Sequence, residues 1–406
     1  MNWEPRQAAT RHLLLITDHL TVGGIETLMS RVAHFLTTRG WRVTLIIERS
    51  YQDALRIMPK EVVVMELGKR FRLLYFPEYA RYFFSKQECP IDLIYGCTLV
   101  GCWLGSICSL FLPNHPALVC GVYTSWEFCY PKSKRFIHFG DYLRAAQFDK
   151  NIVDTSKLFM SEAVRQNHVQ SFGRSLDTAP ICLLPIDARM FKTIERRPKR
   201  FKVVSVGRLC GWKTYNLYMI PVVKQMRDKG SPVHWHVYGT GELEPEMRRR
   251  IHESGLEDRI HLHGNLEYRR YPEVLADAGA FVGMGTALIE AGFARVPSVV
   301  ALEHAETQKT YGYLHELPIG ACGERFERQP TCDTADLLER LFLMTDADYA
   351  REMESTWNYV QPFDQEQVFQ NLLRCFQNAQ ACRGSYLRFA AYNLHGLYRK
   401  ACRRLG

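Results

Sequence analysis

The sequence lacks any run of about 20 apolar residues, the length that crosses a membrane as a helix. Its most apolar stretch, Thr98 to Leu112, lies in a region from Leu93 to Trp126 without Asp, Glu, Lys or Arg, and Pro113, Asn114, His115 and Pro116 end it after roughly fifteen residues. A buried strand with a core helix is the expectation there. No low-complexity segment interrupts the chain, which excludes disordered, collagen-like and coiled-coil classes. The thirteen cysteines, scattered from Cys89 to Cys402, include no CxxC pair and no adjacent histidine cluster. They are expected to be reduced, mostly buried thiols, neither a disulfide framework nor a zinc site. The apolar run Leu13 to Ile16 ends before Asp18, too early for a signal peptide, so the protein is expected to be intracellular.

What is present is ample core material. The 406 residues are 47% hydrophobic, 23% charged and 12% aromatic, with 52 Lys+Arg against 43 Asp+Glu for a net charge of +9. At about 150 residues per domain this length predicts two or three domains.

The chain opens with the rhythm strand, glycine turn, helix, strand. His12–Thr17 is apolar, Val22-Gly23-Gly24 is a turn, and Ile25, Leu28, Met29, Val32 and Phe35 share one face of a helix before the strand Arg42–Ile47. Val62–Leu67, Asp92–Tyr95, Ala117–Val122 and Asn151–Val153 add short strand candidates, and parallel α/β is the expected class. Composition shifts near 185–200, where the basic run Glu195–Arg200 reads as a linker. A second α/β rhythm follows, with strands over Phe201–Val206, Val233–Tyr238, Ile260–His263, Ala280–Gly283 and Pro297–Ala301, and helices over Tyr215–Lys229, Pro245–Ser254, Tyr271–Ala278 and Thr286–Ala294. Residues 335–406 read as helical. Two Rossmann-like parallel-sheet domains facing a cleft, with C-terminal helices, are therefore expected.

Four glycine turns follow strands. In Val206-Gly-Arg-Leu-Cys-Gly-Trp-Lys213 a strand ends at Gly207 and presents Arg208 and Lys213, cations that suit a diphosphate, since Arg forks onto phosphate oxygens and Lys adds a point charge. In Phe281-Val-Gly-Met-Gly-Thr-Ala-Leu-Ile-Glu290, Gly283 and Gly285 allow close backbone approach, and Thr286 opens a helix whose free amides favour an anion. Glu290 stands in an apolar run, either on a wet helix stripe or paired with a polar partner such as a ribose diol. Gly23-Gly24 and Gly239-Thr-Gly241 are the remaining turns, and neither completes a dinucleotide fingerprint. No Asp-x-Asp or histidine cluster accompanies the glycine loops, so no metal or other cofactor is expected.

In this order the motifs resemble the family 4 glycosyltransferases, most strongly over residues 201–312. The matching residues are Gly23-Gly24-Ile25-Glu26, Gly207-Arg208 with Lys213 and Asn216, Tyr238-Gly-Thr-Gly241, Gly264-Asn265, Glu290-Ala291 and Val296-Pro297. The resemblance implies a retaining enzyme of GT-B fold, with an acceptor domain over 1–190, a nucleotide-sugar domain over 191–360, and C-terminal helices over 361–406 that cross back to the first domain. It implies that Arg208 and Lys213 grip the donor diphosphate, that Gly23, Gly24, Gly207, Gly239, Gly241, Gly283, Gly285 and Thr286 line the donor site, and that Glu290 binds the ribose. The family signature has two glutamates separated by seven residues, and Val282 stands at the first position.

On the acceptor side, Tyr123-Thr-Ser-Trp-Glu127-Phe-Cys-Tyr130 offers Glu127 among aromatics as a group to bind or deprotonate a sugar hydroxyl. Lys69–Phe76 and Arg81–Lys86 interleave cations with aromatics, as a helix on an anionic membrane surface does, or as a core stripe with a basic edge. The resulting expectation is a cytoplasmic enzyme, peripheral on the inner face of the membrane. It would transfer sugar from a nucleotide-sugar donor to a glycan or lipid-linked acceptor in cell-surface polysaccharide assembly, with no nucleic-acid partner. The alternative is a non-catalytic GT-B relative that binds nucleotide or glycan.

Overall fold

The computed structural model describes residues 11–20, 23–87, 89–132, 138–191, 193–325, 330–384, 391 and 395. The chain divides into two compact units, Met1–Leu183 with Phe369–Gly406, and Leu184–Val368.

In the first unit the elements are β1 (His12–Leu20), α1 (Gly24–Thr37), β2 (Arg42–Ser50), β3 (Val63–Glu66), α2 (Pro77–Ser85), β4 (Leu93–Gly96), α3 (Leu99–Phe111), β5 (Ala117–Val122), α4 (Phe139–Asn151), β6 (Lys157–Phe159) and α5 (Glu162–Phe172). The strands form one parallel sheet in the order β3-β2-β1-β4-β5-β6. Leu13 to Ile16 and Val43 to Ile47, with the single exception of Thr44, are buried aliphatics, as expected of strands covered on both faces. The most apolar stretch, Thr98 to Leu112, is the single helix α3 with its two flanking residues, and the uncharged region around it also holds β4 and β5. Thr98 caps α3 by accepting from the Gly101 amide at 3.0 Å. Among the described residues no helix is long and apolar enough to cross a membrane.

One expected strand is misplaced. Asn151–Val153 holds the end of α4 and a turn, and the strand falls at Lys157–Phe159. Lys157 is 0% exposed, which its charge conceals in the sequence, because Nζ donates to Asp154 Oδ1 at 2.5 Å and to the Asp149 carbonyl at 3.0 Å.

The second unit contains β7 (Lys199–Val206), α6 (Tyr215–Asp228), β8 (His234–Tyr238), α7 (Glu244–Glu253), β9 (Ile260–Leu262), α8 (Tyr271–Ala276), β10 (Ala278–Gly283), α9 (Thr286–Phe293), β11 (Ser298–Val300), α10 (Thr334–Leu343) and α11 (Asp346–Val360). Its parallel sheet has the order β11-β10-β7-β8-β9. Val203, Trp235, Val237, Ala280 and Val282 face a core shared with Met219, Val223, Met247 and Leu338. The run Glu195–Arg200, read as a linker, is built into this unit: Arg196 is hydrogen-bonded to the carbonyls of Leu275 and Ala278, and Lys199 opens β7.

Finally α12 (Gln365–Asn378) begins at the end of the second unit and continues in the first, where Phe369 stacks on Phe35 of α1 at 4.4 Å between ring centres. The helix expected over Ser385–Arg404 lies outside the described residues, apart from 391 and 395.

Each sheet reverses its winding beside its first strand, between β1 and β4 and between β7 and β10. Loops leaving the carboxyl ends of such a pair diverge, and ligands bind in the gap. In the first unit the gap is set by backbone contact: a Cβ on Gly101 would fall on the Ile16 carbonyl oxygen, and one on Gly96 would stand 2.6 Å from the Cys102 nitrogen. Gly101→Ala is therefore expected to destabilise the protein by about 1–3 kcal/mol, as forced overpacking does, read as a lower urea midpoint with an unchanged m-value.

Candidate functional site

The gap between β7 and β10 collects the expected donor residues. Gly207, at the end of β7, has φ 151°, and a Cβ there would stand 2.8 Å from Lys213 Nζ, so the glycine makes room for the ammonium group. Arg208 is exposed beside it. Lys213 lies against Trp212 with Nζ 5.1 Å from the ring centre. Burial, then the positive charge of Arg208, lowers its pKa from the ordinary lysine value. Among the described residues neither Arg208 nor Lys213 has an acidic partner in an ion pair or hydrogen bond. Two cations brought together without a carboxylate raise the local potential, which an anion would relieve.

Gly239 and Gly241 serve this loop from below. A Cβ on Gly239 would collide with the Gly207 carbonyl, and one on Gly241 with the Leu209 carbonyl. The two loops interlock through Gly207 N–H to the Tyr238 carbonyl at 2.9 Å, Leu209 N–H to the Thr240 carbonyl at 3.0 Å, and Leu243 N–H to the Leu209 carbonyl at 2.9 Å. Glu242, which the sequence reading passed over, accepts from the Gly211 amide at 2.6 Å. Asn216 turns its side-chain amide to the Lys213 carbonyl at 2.9 Å, closing the loop onto α6.

Across the gap, Gly283 ends β10 and Gly285, with φ 72°, occupies the position before α9, which Thr286 opens. The Gly285 amide donates to the Cys322 carbonyl at 2.6 Å. That loop carries Glu324, a buried carboxyl that accepts from the Cys322 amide at 2.7 Å and whose pKa is raised, mainly by burial. The His304 amide donates to the Trp212 carbonyl at 2.7 Å and the Glu303 amide to the Gly323 carbonyl at 2.9 Å, so the Arg208–Lys213 loop and the loop that holds the Gly285 turn share one neighbourhood. No sequence signal marked Glu324, because it lies some forty residues beyond the turn it supports.

Glu290 is 4% exposed, which rules out the wet stripe. Its Oε1 accepts from the Tyr268 hydroxyl at 2.6 Å. Tyr268 comes from the short turn before α8, a partner the sequence pattern did not indicate. Val282, at the first signature position, is 2% exposed and turned into the core.

Gly23 and Gly24 belong to the first unit, where they open α1 after β1, and a Cβ on Gly24 would meet open space. At that unit's own winding reversal stands Glu127. It accepts a hydrogen bond from the Leu99 amide at the start of α3, and Thr124 Oγ1 approaches Oε2 at 3.4 Å. Burial, aided by the negative charge of Asp18, pushes its pKa up to about 7, against the pull of the Leu99 amide, Thr124 and Arg144. A carboxyl tuned to neutrality can both hold and release a proton near physiological pH.

Four histidines gather beside two of the glycine turns. His234, His236, His261 and His263 stand together on β8 and at the end of β9, the strands that lead into the turns at Gly239 and Gly264. The sequence shows two His-x-His pairs, and only the register of β8 against β9 brings them together.

Tyr268→Phe removes the hydroxyl that binds the buried Glu290 and is expected to cost about 1–3 kcal/mol, measured as a loss of urea-unfolding stability.

Residues 187–305 match the family model described as glycosyl transferases group 1. No curated protein matches the chain. Solved structures do. A glycosyltransferase from Rickettsia africae is 13% identical, with a TM-score of 0.66, over 91% of this chain and 98% of its own. Anabaena HepE, in complex with UDP and glucose, is 16% identical, with a TM-score of 0.64, over 90% and 99%. The sucrose-phosphate synthase of Thermosynechococcus elongatus is 14% identical, with a TM-score of 0.64, over 91% and 98%. The chain has the GT-B fold of these glycosyltransferase structures, and its segment 187–305 carries the group 1 glycosyl transferase pattern.

Proposed function

We propose that this protein is a retaining glycosyltransferase that moves a hexose or related sugar from a nucleotide-sugar donor to a hydroxyl of a glycan or lipid-linked acceptor. The observation that carries the reading is the pair Arg208 and Lys213, without a carboxylate partner among the described residues, in the same unit as the Gly283–Thr286 turn and the buried Glu290. The group 1 match over this same segment, the GT-B fold, and a structural neighbour holding UDP and glucose support it. Another neighbour is a lipopolysaccharide outer core galactosyltransferase, which fits an acceptor in cell-surface polysaccharide. Leu73, Phe76 and Tyr82, exposed among Lys69, Arg70, Arg72 and Arg81, support a peripheral contact with an anionic membrane.

In this mechanism the donor diphosphate lies over Gly207 and Gly285, where glycine admits it to the backbone. Arg208 binds its oxygens and Lys213, raised back toward its ordinary pKa by the anion, adds charge. The free amides of α9 face the same anion. As the bond between the sugar and the diphosphate breaks, negative charge grows on the leaving group, and cations fixed in advance stabilise that state more than the ground state. Glu290 holds the ribose diol, with the Tyr268 hydroxyl fixing the carboxylate. In the first unit, Glu127 is the group that would bind the acceptor hydroxyl and accept its proton.

A second reading, a GT-B relative that binds nucleotide without turnover, is favoured by Val282 at the first signature position. The two part on one experiment. Calorimetric titration with UDP, GDP and ADP is expected to find micromolar binding of one nucleotide, lost in Arg208→Ala and Glu290→Ala. With the matching sugar donors, Arg208→Ala is expected to lower turnover by about a hundredfold or more, the effect of losing on the order of 3–4 kcal/mol of charge stabilisation. Binding without turnover by any donor would select the second reading.

The pH dependence tests Glu127. Its base form is the carboxylate, so turnover is expected to fall as pH drops through about 7. Glu127→Gln should abolish that limb of the profile; a limb that survives removes Glu127 from proton transfer.

A further inference from the structure

The corner that follows β11 runs between the two loops of the candidate donor site, and its side chains have no part in the reading above. The chain leaves β11 level with the end of β10, since the Ala301 amide donates to the Gly283 carbonyl at 2.8 Å. Two successive amides then reach apart. That of Glu303 binds the Gly323 carbonyl, one residue from the Cys322 carbonyl that holds the Gly285 amide, and that of His304 binds the Trp212 carbonyl, one residue from Lys213. Thr214 Oγ1 adds a bond to the Ala305 carbonyl at 2.6 Å. His304 takes φ 48°, a left-handed conformation uncommon outside glycine, which persists where surrounding contacts impose it and which gathers at functional sites. Two carboxyl groups stand at this corner. Glu324 is buried and bonded to the Cys322 amide at 2.7 Å. Glu303 is half-buried, and its Oε1 accepts from the Arg325 amide at 3.3 Å, a long bond to a carboxylate with capacity for several donors.

We propose that Glu303 binds hydroxyl groups of the sugar carried by the nucleotide donor and so selects among sugars. The inference rests on the donor-site reading above, and the order of the sheet gives it direction. Tyr268, which binds Glu290, comes from the connection after β9 at one edge; Arg208, Lys213 and Gly285 follow β7 and β10 in the middle; Glu303 follows β11 at the other edge. A donor with its ribose at Glu290 and its diphosphate over Gly207 and Gly285 points its sugar toward the β11 edge. Val282 is turned into the core there and offers that sugar nothing polar. A carboxylate accepts from neutral hydroxyls in charge-assisted bonds, and its repulsion of the diphosphate is offset by Arg208 and Lys213. When a hydroxyl is missing or inverted the carboxylate loses that donor, and this is how such a contact tells epimeric sugars apart.

The test is calorimetric titration of the full chain with two kinds of ligand: the bare nucleotide among UDP, GDP and ADP that binds, and that nucleotide carrying glucose, galactose, mannose or N-acetylglucosamine. Glu303→Ala is expected to weaken the best-bound sugar adduct by about tenfold or more and the bare nucleotide by less than about twofold, the effect of losing a charged hydrogen bond made to the sugar alone. Glu303→Gln keeps an acceptor for the Arg325 amide and should show the same selective loss, with the preference between epimeric sugars reduced. The bare nucleotide reports on folding and on the Gly285 turn, since a Glu303 that only braced its loop would weaken both ligands together. Equal loss from both, or no loss from either, overturns the proposal and leaves the donor site standing. A wild-type protein that binds the nucleotide and none of its sugar adducts overturns it as well, and one that binds no nucleotide removes the donor site and the proposal with it.

Discussion

The second unit depends on a contact of backbone with backbone. The Gly207 carbonyl occupies the space that a side chain on residue 239 would need, and the Leu209 carbonyl that of residue 241. Because two loops meet there without side chains between them, the segment carrying Arg208 is fixed by amide hydrogen bonds as well as by the buried Leu209 side chain. That matters for a site whose working groups are cations, since a mobile arginine would lose ordering entropy on meeting its anion, whereas a clamped loop has lost most of it on folding. The same device recurs in the first unit, where Gly101 brings the start of α3 against Ile16 of β1 and Gly96 lets the end of β4 meet the same turn, with the Leu99 amide bonded to Glu127.

Burial of charge is the second organising feature. Lys157 and Glu290 are both nearly inaccessible, and each is answered within hydrogen-bond reach, by Asp154 and by Tyr268. Lys213 differs, because its lowered pKa registers burial that no described carboxylate offsets. A site left electrostatically incomplete in the ligand-free chain is the arrangement expected where an anion completes it. Glu127 shows the converse: an acid pushed toward neutrality by burial and Asp18, at the other sheet's winding reversal.

Much of this was readable from the residues, for identifiable reasons. Strands that run into glycine announce the turns at Gly207 and Gly239, because positive φ and close approach both demand it. Helix faces such as that of α1 follow from period 3.6. What could not be read was anything that depends on register or on distant partners. Hydropathy moved a strand six residues too early because β6 begins on a lysine neutralised by its neighbours. Tyr268 reaches Glu290 across twenty-two positions. The pattern His-Trp-His-Val-Tyr announces a strand with one wet face, but nothing in it tells that His-Leu-His of β9 will lie alongside.

The signature position at Val282 shows why spacing alone misleads. Placing the first glutamate eight positions before Glu290 presumes that this position lies beyond the strand. Here only Met284 and Gly285 separate β10 from α9, so residue 282 is still inside the sheet and faces Ala280 and Val203 in the core. A carboxylate there would be buried without a partner at a cost of several kcal/mol. The turn that follows is supported by groups on other segments. The turn already leans on one of these, since Gly285 is anchored to the Cys322 carbonyl and the Cys322 amide to Glu324.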